Sequence, residues 1–241
     1  MKYFNQESEQ EYQYSEKRLL LLEEVSSIEV AQSPMTFIDR RLFANILTKI
    51  EMFNLIRNVQ GSIVECGVYK GNGLSTYLHL SSNLEPVAFN RKIIGFDTFE
   101  GFPEISKFDS NSIPVRHLSD VTYEKLLSAI EINDLNRNLG HIPKVELIKG
   151  DARETIPNYV KNHPELIVSM LYLDFDIYEP TKVALDYLLP LVPRGGVVGF
   201  DELNQKKWKG ETIAFKESLS LSNIRLKKFD YDPHVSYFVV E

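Results

Sequence analysis

The sequence predicts a doubly wound α/β domain built on a mostly parallel sheet. Three observations lead there. Short apolar stretches at 62–66, 92–97, 145–149, 166–174 and 196–201 lack the in–out alternation of a strand with one wet face, so they read as strands covered on both sides. Stretches with helical spacing separate them, as a parallel sheet needs crossover helices. The chain has 241 residues, 43% hydrophobic and 25% charged, enough for one large core that buries roughly 70% of the unfolded surface.

Taken in order, residues 1–18 are rich in Glu, Gln and Tyr and read as an exposed or fraying helix, and 19–32 as an apolar, docked helix. Together they form an N-terminal helical extension, 1–32, ahead of the main domain, 33–241. Ser33-Pro34 breaks the helical pattern because the residue before proline avoids the α region. Thr36 is expected to N-cap a helix to about Arg57, with Phe37, Leu42, Ile46, Ile50, Phe53 and Ile56 at near-helical spacing. The first strand, 62–66, passes through a glycine turn into a helix over 74–82. Strand 92–97 is followed by a long irregular connection, 98–120, and a helix over 123–135. Strand 145–149, helix 152–162, strand 166–174, helix 180–191, strand 196–201 and helix 211–219 continue the alternation. A last strand at 235–240 reads as antiparallel.

Charge and cysteine content exclude several classes. With 27 basic and 34 acidic side chains the net charge is 27 − 34 = −7 and the pI about 5.4. Nucleic acid or an anionic membrane would call for clustered Lys and Arg instead. The lone Cys66 permits neither an internal disulfide nor a CxxC zinc site, which predicts a reducing, cytoplasmic setting. Apolar runs such as 19–22 fall far short of the ~20 residues of a spanning helix, and the polar first thirteen residues lack a signal-peptide core. The apolar segment 19–32 needs a surface to cover it, which predicts a homodimer or larger assembly.

In a parallel sheet, ligands bind beyond the carboxyl ends of the strands. After the first strand come Glu65-Cys66-Gly67-Val68-Tyr69-Lys70-Gly71-Asn72-Gly73. The glycines permit a tight turn and close ligand approach, and the next helix offers free N–H groups. The spacing is neither the dinucleotide fingerprint nor a P-loop. The second strand ends in Gly95-Phe96-Asp97, whose carboxylate suits either a ribose diol or a turn. Asp151, after the third strand, serves either as a helix cap or as an acceptor for an adenine amino group. The fourth strand ends in Asp174-Phe175-Asp176 and the fifth in Asp201-Glu202. An acid thus stands at the end of every core strand.

Residues 63–73, Gly95-Phe96-Asp97-Thr98-Phe99-Glu100-Gly101-Phe102-Pro103, Lys149-Gly150-Asp151-Ala152-Arg153-Glu154-Thr155-Ile156-Pro157, Tyr172-Leu173-Asp174-Phe175-Asp176-Ile177-Tyr178-Glu179-Pro180-Thr181 and Gly195-Gly196-Val197-Val198-Gly199-Phe200-Asp201-Glu202 resemble the macrocin O-methyltransferase family. Its members are class I, Rossmann-like enzymes that methylate sugar hydroxyls with S-adenosylmethionine. The resemblance covers about residues 33 to 217. It implies a cofactor-binding set of Glu65, Gly67, Gly71 and Gly73 beside the methionine part, Asp97 and Thr98 at the ribose, Asp151 and Ala152 near adenine, and Met35 and Thr36 in a covering N-terminal stretch. It further implies a divalent cation, magnesium, held by Asp174, Asp201 and Glu202. The acceptor is then a small sugar-containing molecule: a glycoside, a nucleotide-sugar or a surface-glycan precursor.

Two features depart from the family pattern. Asp201-Glu202 stands where Asp-Asp is usual, and Ile177 stands where related catechol-type enzymes carry a lysine base. Asp174, Asp176 and His234 remain as candidates to take the acceptor's proton. Trp208, among Lys206, Lys207 and Lys209, either stacks on a sugar ring or anchors a loop. Two other readings compete: a phenol- or catechol-type O-methyltransferase, which the missing lysine disfavours, and a non-catalytic cofactor-binding member, which the full set of strand-end acids disfavours.

Overall fold

The computed structural model describes residues 9–114 and 123–241. The end of the 98–120 connection, from residue 115 on, lies outside the described residues. The chain divides into two units, Met1–Phe43 and Ala44–Glu241, so packing draws the division after Phe43, whereas the sequence reading drew it after Gln32.

In the first unit, α1 (Glu9–Glu24), α2 (Ser27–Gln32) and α3 (Pro34–Phe37) are separate helices, and none contributes a buried residue. The docked helix expected over 19–32 is therefore two exposed pieces. Ser26 breaks it by accepting the Glu29 N–H on its side chain, an N-cap that starts a new helix. α4 (Arg40–Ile56) begins in this unit and ends in the next. Thr36 was expected to cap it but lies inside α3. Ile38 is extended (ψ 140°), and Asp39 caps instead, accepting the N–H of Arg41 at 2.7 Å and of Leu42 at 3.4 Å. Tyr14 Oη donates to Asp39 at 2.9 Å, and Arg41 pairs with Glu11 at 2.9 Å.

The second unit holds a seven-stranded sheet: β1 (Ser62–Cys66), β2 (Ile93–Asp97), β3 (Val145–Lys149), β4 (Val168–Leu173), β5 (Val197–Phe200), β6 (Lys227–Lys228) and β7 (Ser236–Val239). The order is β3-β2-β1-β4-β5-β7-β6. β1 to β5 are mutually parallel, while β7 runs antiparallel to both β5 and β6. The crossover helices are α5 (Asn72–Leu84), α6 (Tyr123–Leu135), α7 (Ala152–Asn162), α8 (Tyr178–Leu188) and α9 (Lys209–Ser218). The expected alternation is present throughout. The exposed two-residue β6 had no signal in the sequence.

Strand side chains alternate between two cores. Val64, Phe96, Leu171, Leu173 and Phe200 pack with Ile156 of α7, Leu185 and Leu188 of α8 and Phe215 of α9. Ile63, Ile93, Met170, Tyr172 and Val197 pack with Met52 and Phe53 of α4, Leu74 and Tyr77 of α5 and Leu126 of α6. Each such side chain contributes about 1.5–3 kcal/mol by leaving water, which explains why the strands read as continuous apolar runs. Among the described residues, no helix is long and apolar enough to cross a membrane.

Candidate active site

The sheet order reverses between β1 and β4, the crevice where open α/β sheets take ligands. Register sets the depth of the groups around it. Cys66 lies opposite both Phe96 and Leu173, and Leu173 lies opposite Phe200. Gly67, Asp97, Asp174 and Asp201, each one residue further on, therefore stand at one level. The ladder continues past the strands: Gly67 N–H donates to Phe96 O at 2.9 Å, Asp174 N–H to Cys66 O at 2.8 Å and Asp201 N–H to Leu173 O at 3.0 Å.

The turn after β1 is built tightly against its neighbours. Gly67 has φ +93°, and a Cβ there would collide with the backbone carbonyl of Asp174. Gly71 occupies the N-cap of α5 in left-handed backbone. A Cβ on Gly73 would run into Glu65 Oε1 and the Lys49 side chain. Glu65 is 2% exposed and accepts the Leu74 N–H, fastening the first turn of α5. Burial outweighs the nearby Lys49 and pushes its carboxyl up to about 7; its Oε2 has no hydrogen-bond partner.

Asp97 acts as a strut. Its Oδ2 accepts the N–H groups of Val68 and Tyr69, both at 2.8 Å, and its Oδ1 accepts that of Phe99 at 2.7 Å. One lone pair on Oδ1 remains, since each carboxylate oxygen accepts two bonds. Thr98 closes its own turn, donating to Gly101 O at 2.7 Å. Of the two roles read for Asp151, the geometry displays the cap: it accepts the Arg153 N–H at 2.9 Å and holds the Arg153 guanidinium at 2.6 Å. Ala152 is buried at the start of α7. Met35 and Thr36 lie in the N-terminal unit, on α3, both exposed.

The ends of β4 and β5 carry a dense group of acids. Asp176 sits in left-handed backbone (φ +64°), a conformation that costs about 1 kcal/mol, and is 8% exposed. Burial and the charge of Asp201 raise its carboxyl to about 8. Burial, then Asp201 and Asp176, raise Asp174 well above the carboxylate range. The same causes raise Glu202 to about 9. Asp201 Oδ1 accepts the Tyr172 hydroxyl at 2.5 Å. His234 Nδ1 stands 3.9 Å from Glu202 Oε2 and 3.3 Å from Gln205 Nε2. Among the described residues, no three His, Cys, Asp or Glu side chains are grouped closely enough to hold a metal ion.

Residues without a role in the sequence reading also stand here. Glu211, fully buried on α9, accepts the Glu202 N–H at 3.0 Å and leaves its Oε2 unpartnered. Lys49, 3% exposed, lies 3.9 Å from the Tyr172 ring centroid. A signal existed for Lys49: it interrupts the buried stripe Thr48, Met52, Phe53 and Ile56 of α4. Ile177 and Trp208 are buried against Ile113, so Trp208 is a loop anchor.

A family model described as Macrocin-O-methyltransferase (TylF) matches residues 4–234. The 8-demethyl-8-(2,3-dimethoxy-alpha-L-rhamnosyl)-tetracenomycin-C 4'-O-methyltransferase of Streptomyces olivaceus is 28% identical over 152 residues. That match takes in 61% of this chain and 55% of the relative. The solved structure of CalS11, a calicheamicin methyltransferase, superposes with a TM-score of 0.90 at 30% identity over 98% of this chain and 95% of its own. A structure without ligand of CalS11, a TDP-rhamnose 3'-O-methyltransferase, gives 0.84 at 29% identity over 99% of this chain and 98% of its own. The O-methyltransferase NovP, at 22% identity, shares the fold, with a TM-score of 0.63 over 83% of this chain and 79% of its own.

Proposed function

The chain belongs to the macrocin-O-methyltransferase family, and on that premise we propose that it transfers a methyl group from S-adenosylmethionine to a hydroxyl of a small sugar-containing acceptor. One observation carries this reading: at the β1/β4 switch point a glycine loop faces buried acids at the same level. The sugar O-methyltransferase names of the relatives support it.

When bound, the cofactor supplies a sulfonium methyl open to in-line attack by oxygen. The loop 65–73 is the fitting cradle. Gly67 and Gly73 let the loop close directly against the Asp174 carbonyl and the Glu65 and Lys49 side chains, and Glu65 fixes the helix start beside them. Asp97, already accepting three N–H groups, offers its remaining lone pair to a ribose hydroxyl. The buried acids would hold the acceptor end. Asp174 and Asp201 carry hard oxygen ligands, and their mutual repulsion is the strain a divalent cation relieves. Magnesium commonly takes one or two carboxylates and completes its shell with water and substrate. Asp174 and Asp201 would hold it, with Glu202 beside them. When bound, magnesium supplies a Lewis acid that orients the acceptor hydroxyl. Asp174, Asp176 and His234 are the candidates to take the hydroxyl proton.

The test is mass spectrometry of product from isotope-labelled S-adenosylmethionine and a panel of nucleotide-sugars and glycosides, with and without EDTA. Label is expected in a sugar product, lost with EDTA and restored by magnesium. Full turnover after chelation would remove magnesium from the scheme; cofactor binding without transfer to any sugar would sink the acceptor class.

We further propose that the protein works in the cytoplasm, which its single buried thiol, Cys66, supports, and that it self-associates. Leu19, Leu20 and Ile28 are 62%, 57% and 68% exposed, an apolar surface that a second copy would cover. Light scattering is expected to give at least twice the 27.8 kDa chain mass; a monomer at micromolar concentration would overturn this.

A further inference from the structure

We propose that Tyr172, with the Lys49 ammonium on its ring, is the positioning residue for Asp201. The inference rests on the reading that Asp201 helps to hold the cation. Three observations converge on it. The Tyr172 hydroxyl donates to Asp201 Oδ1 at 2.5 Å, the short end of the range for O–H···O bonds. The ring is clamped: it is fully buried, lies opposite Glu65 on one side and Gly199 on the other, and would touch a Cβ at Gly199. The Lys49 ammonium sits 3.9 Å from the ring centroid, where a cation withdraws electron density from the ring and sharpens the hydroxyl as a donor.

The Lys49 side chain also lies beside Glu65, since a Cβ on Gly73 would meet both. It thus faces the cofactor loop, with Tyr172 beneath it. A carboxylate that binds a cation needs a fixed direction for its second oxygen. Outer partners of this kind are worth about 10–100-fold in metal affinity. With Oδ1 directed at Tyr172, Oδ2 of Asp201 is the oxygen left to face the acceptor end of the crevice.

The experiment uses the full chain and three variants: Tyr172→Phe, Lys49→Met and Lys49→Arg. Manganese, as a paramagnetic probe for the magnesium position, is titrated and read by electron paramagnetic resonance. S-adenosylmethionine affinity and the melting midpoint are measured on the same samples. Tyr172→Phe is expected to bind manganese about 10–100-fold more weakly, with cofactor affinity kept and the melting midpoint lowered only as far as the loss of one buried hydrogen bond requires. Lys49→Met should shift in the same direction, and Lys49→Arg should recover part of the loss. Wild-type manganese affinity in Tyr172→Phe overturns the proposal. So does a parallel loss of cofactor affinity and melting in Tyr172→Phe, or a Lys49→Met variant unchanged in manganese affinity, because either reduces the pair to ordinary packing. If the unmodified chain binds no manganese, the cation reading itself fails and the proposal falls with it. Binding by the unmodified chain with equal binding by the variants fails the proposal alone.

Discussion

Asparagine at Asp174 or at Asp201 is expected to slow methyl transfer by roughly 10²–10⁴-fold, the range that a positioned acid–base group or its equivalent commands. S-adenosylmethionine affinity should stay near that of the unmodified chain, because the proposed cradle for the cofactor is the 65–73 loop. The thermal midpoint should hold or rise. Asp174 is fully buried beside Asp201 and Asp176, and both burial and these neighbours penalise its charge. Asparagine keeps the shape and cannot take up the charge that burial and these neighbours oppose, the usual signature of a site that gives up stability for function. An initial-rate assay beside calorimetry and a melting curve checks all three expectations. Full turnover in Asp174→Asn would exclude its role. A large drop in midpoint together with lost activity would reassign the residue to structure.

Gly67→Ala is expected to cost about 2–6 kcal/mol of stability and to abolish measurable cofactor binding. Two penalties combine. At φ +93° an alanine is strained by about 1–3 kcal/mol. Its methyl would also meet the Asp174 backbone carbonyl, and such overpacking costs about 1–3 kcal/mol more. Asp174 N–H is itself bonded to Cys66 O, so the two strand ends separate together if either moves. Gly73→Ala is the control. Its methyl meets side-chain atoms of Glu65 and Lys49, which can shift, so its cost should be smaller. Denaturant melts of the two variants decide the matter: equal costs would mean that the backbone contact at Gly67 is not what restricts the position.

The strand–helix alternation was legible because burial on both faces leaves its mark in composition, as at Val168–Leu173, where all six residues are buried. The α6 boundaries, Tyr123–Leu135, were legible for the corresponding reason in helical spacing. Local competition was not. Both Thr36 and Asp39 are cap-forming residues, and only the extended backbone of Ile38 decides for Asp39. β6 escaped because two lysines carry no strand signal and pair solely through β7. The strand-end acids could be listed from the sequence, but how each is used depends on neighbours far along the chain. Asp97 is engaged by residues 68 and 69, and Asp201 by Tyr172. Lys49 and Glu211 matter through burial, which a single charged letter does not reveal.

The end of the sheet at β6 bears on how the protein behaves at high concentration. A sheet edge with open N–H and C=O groups is a template on which another chain can grow. Here that edge is two residues long, and both are exposed lysines. The stub is too short to seed a ladder, and its paired positive charges repel a second copy presenting the same edge. Fibril growth from this side of the molecule is thereby discouraged, and the burden falls on residues with no part in the crevice, free to serve solubility alone.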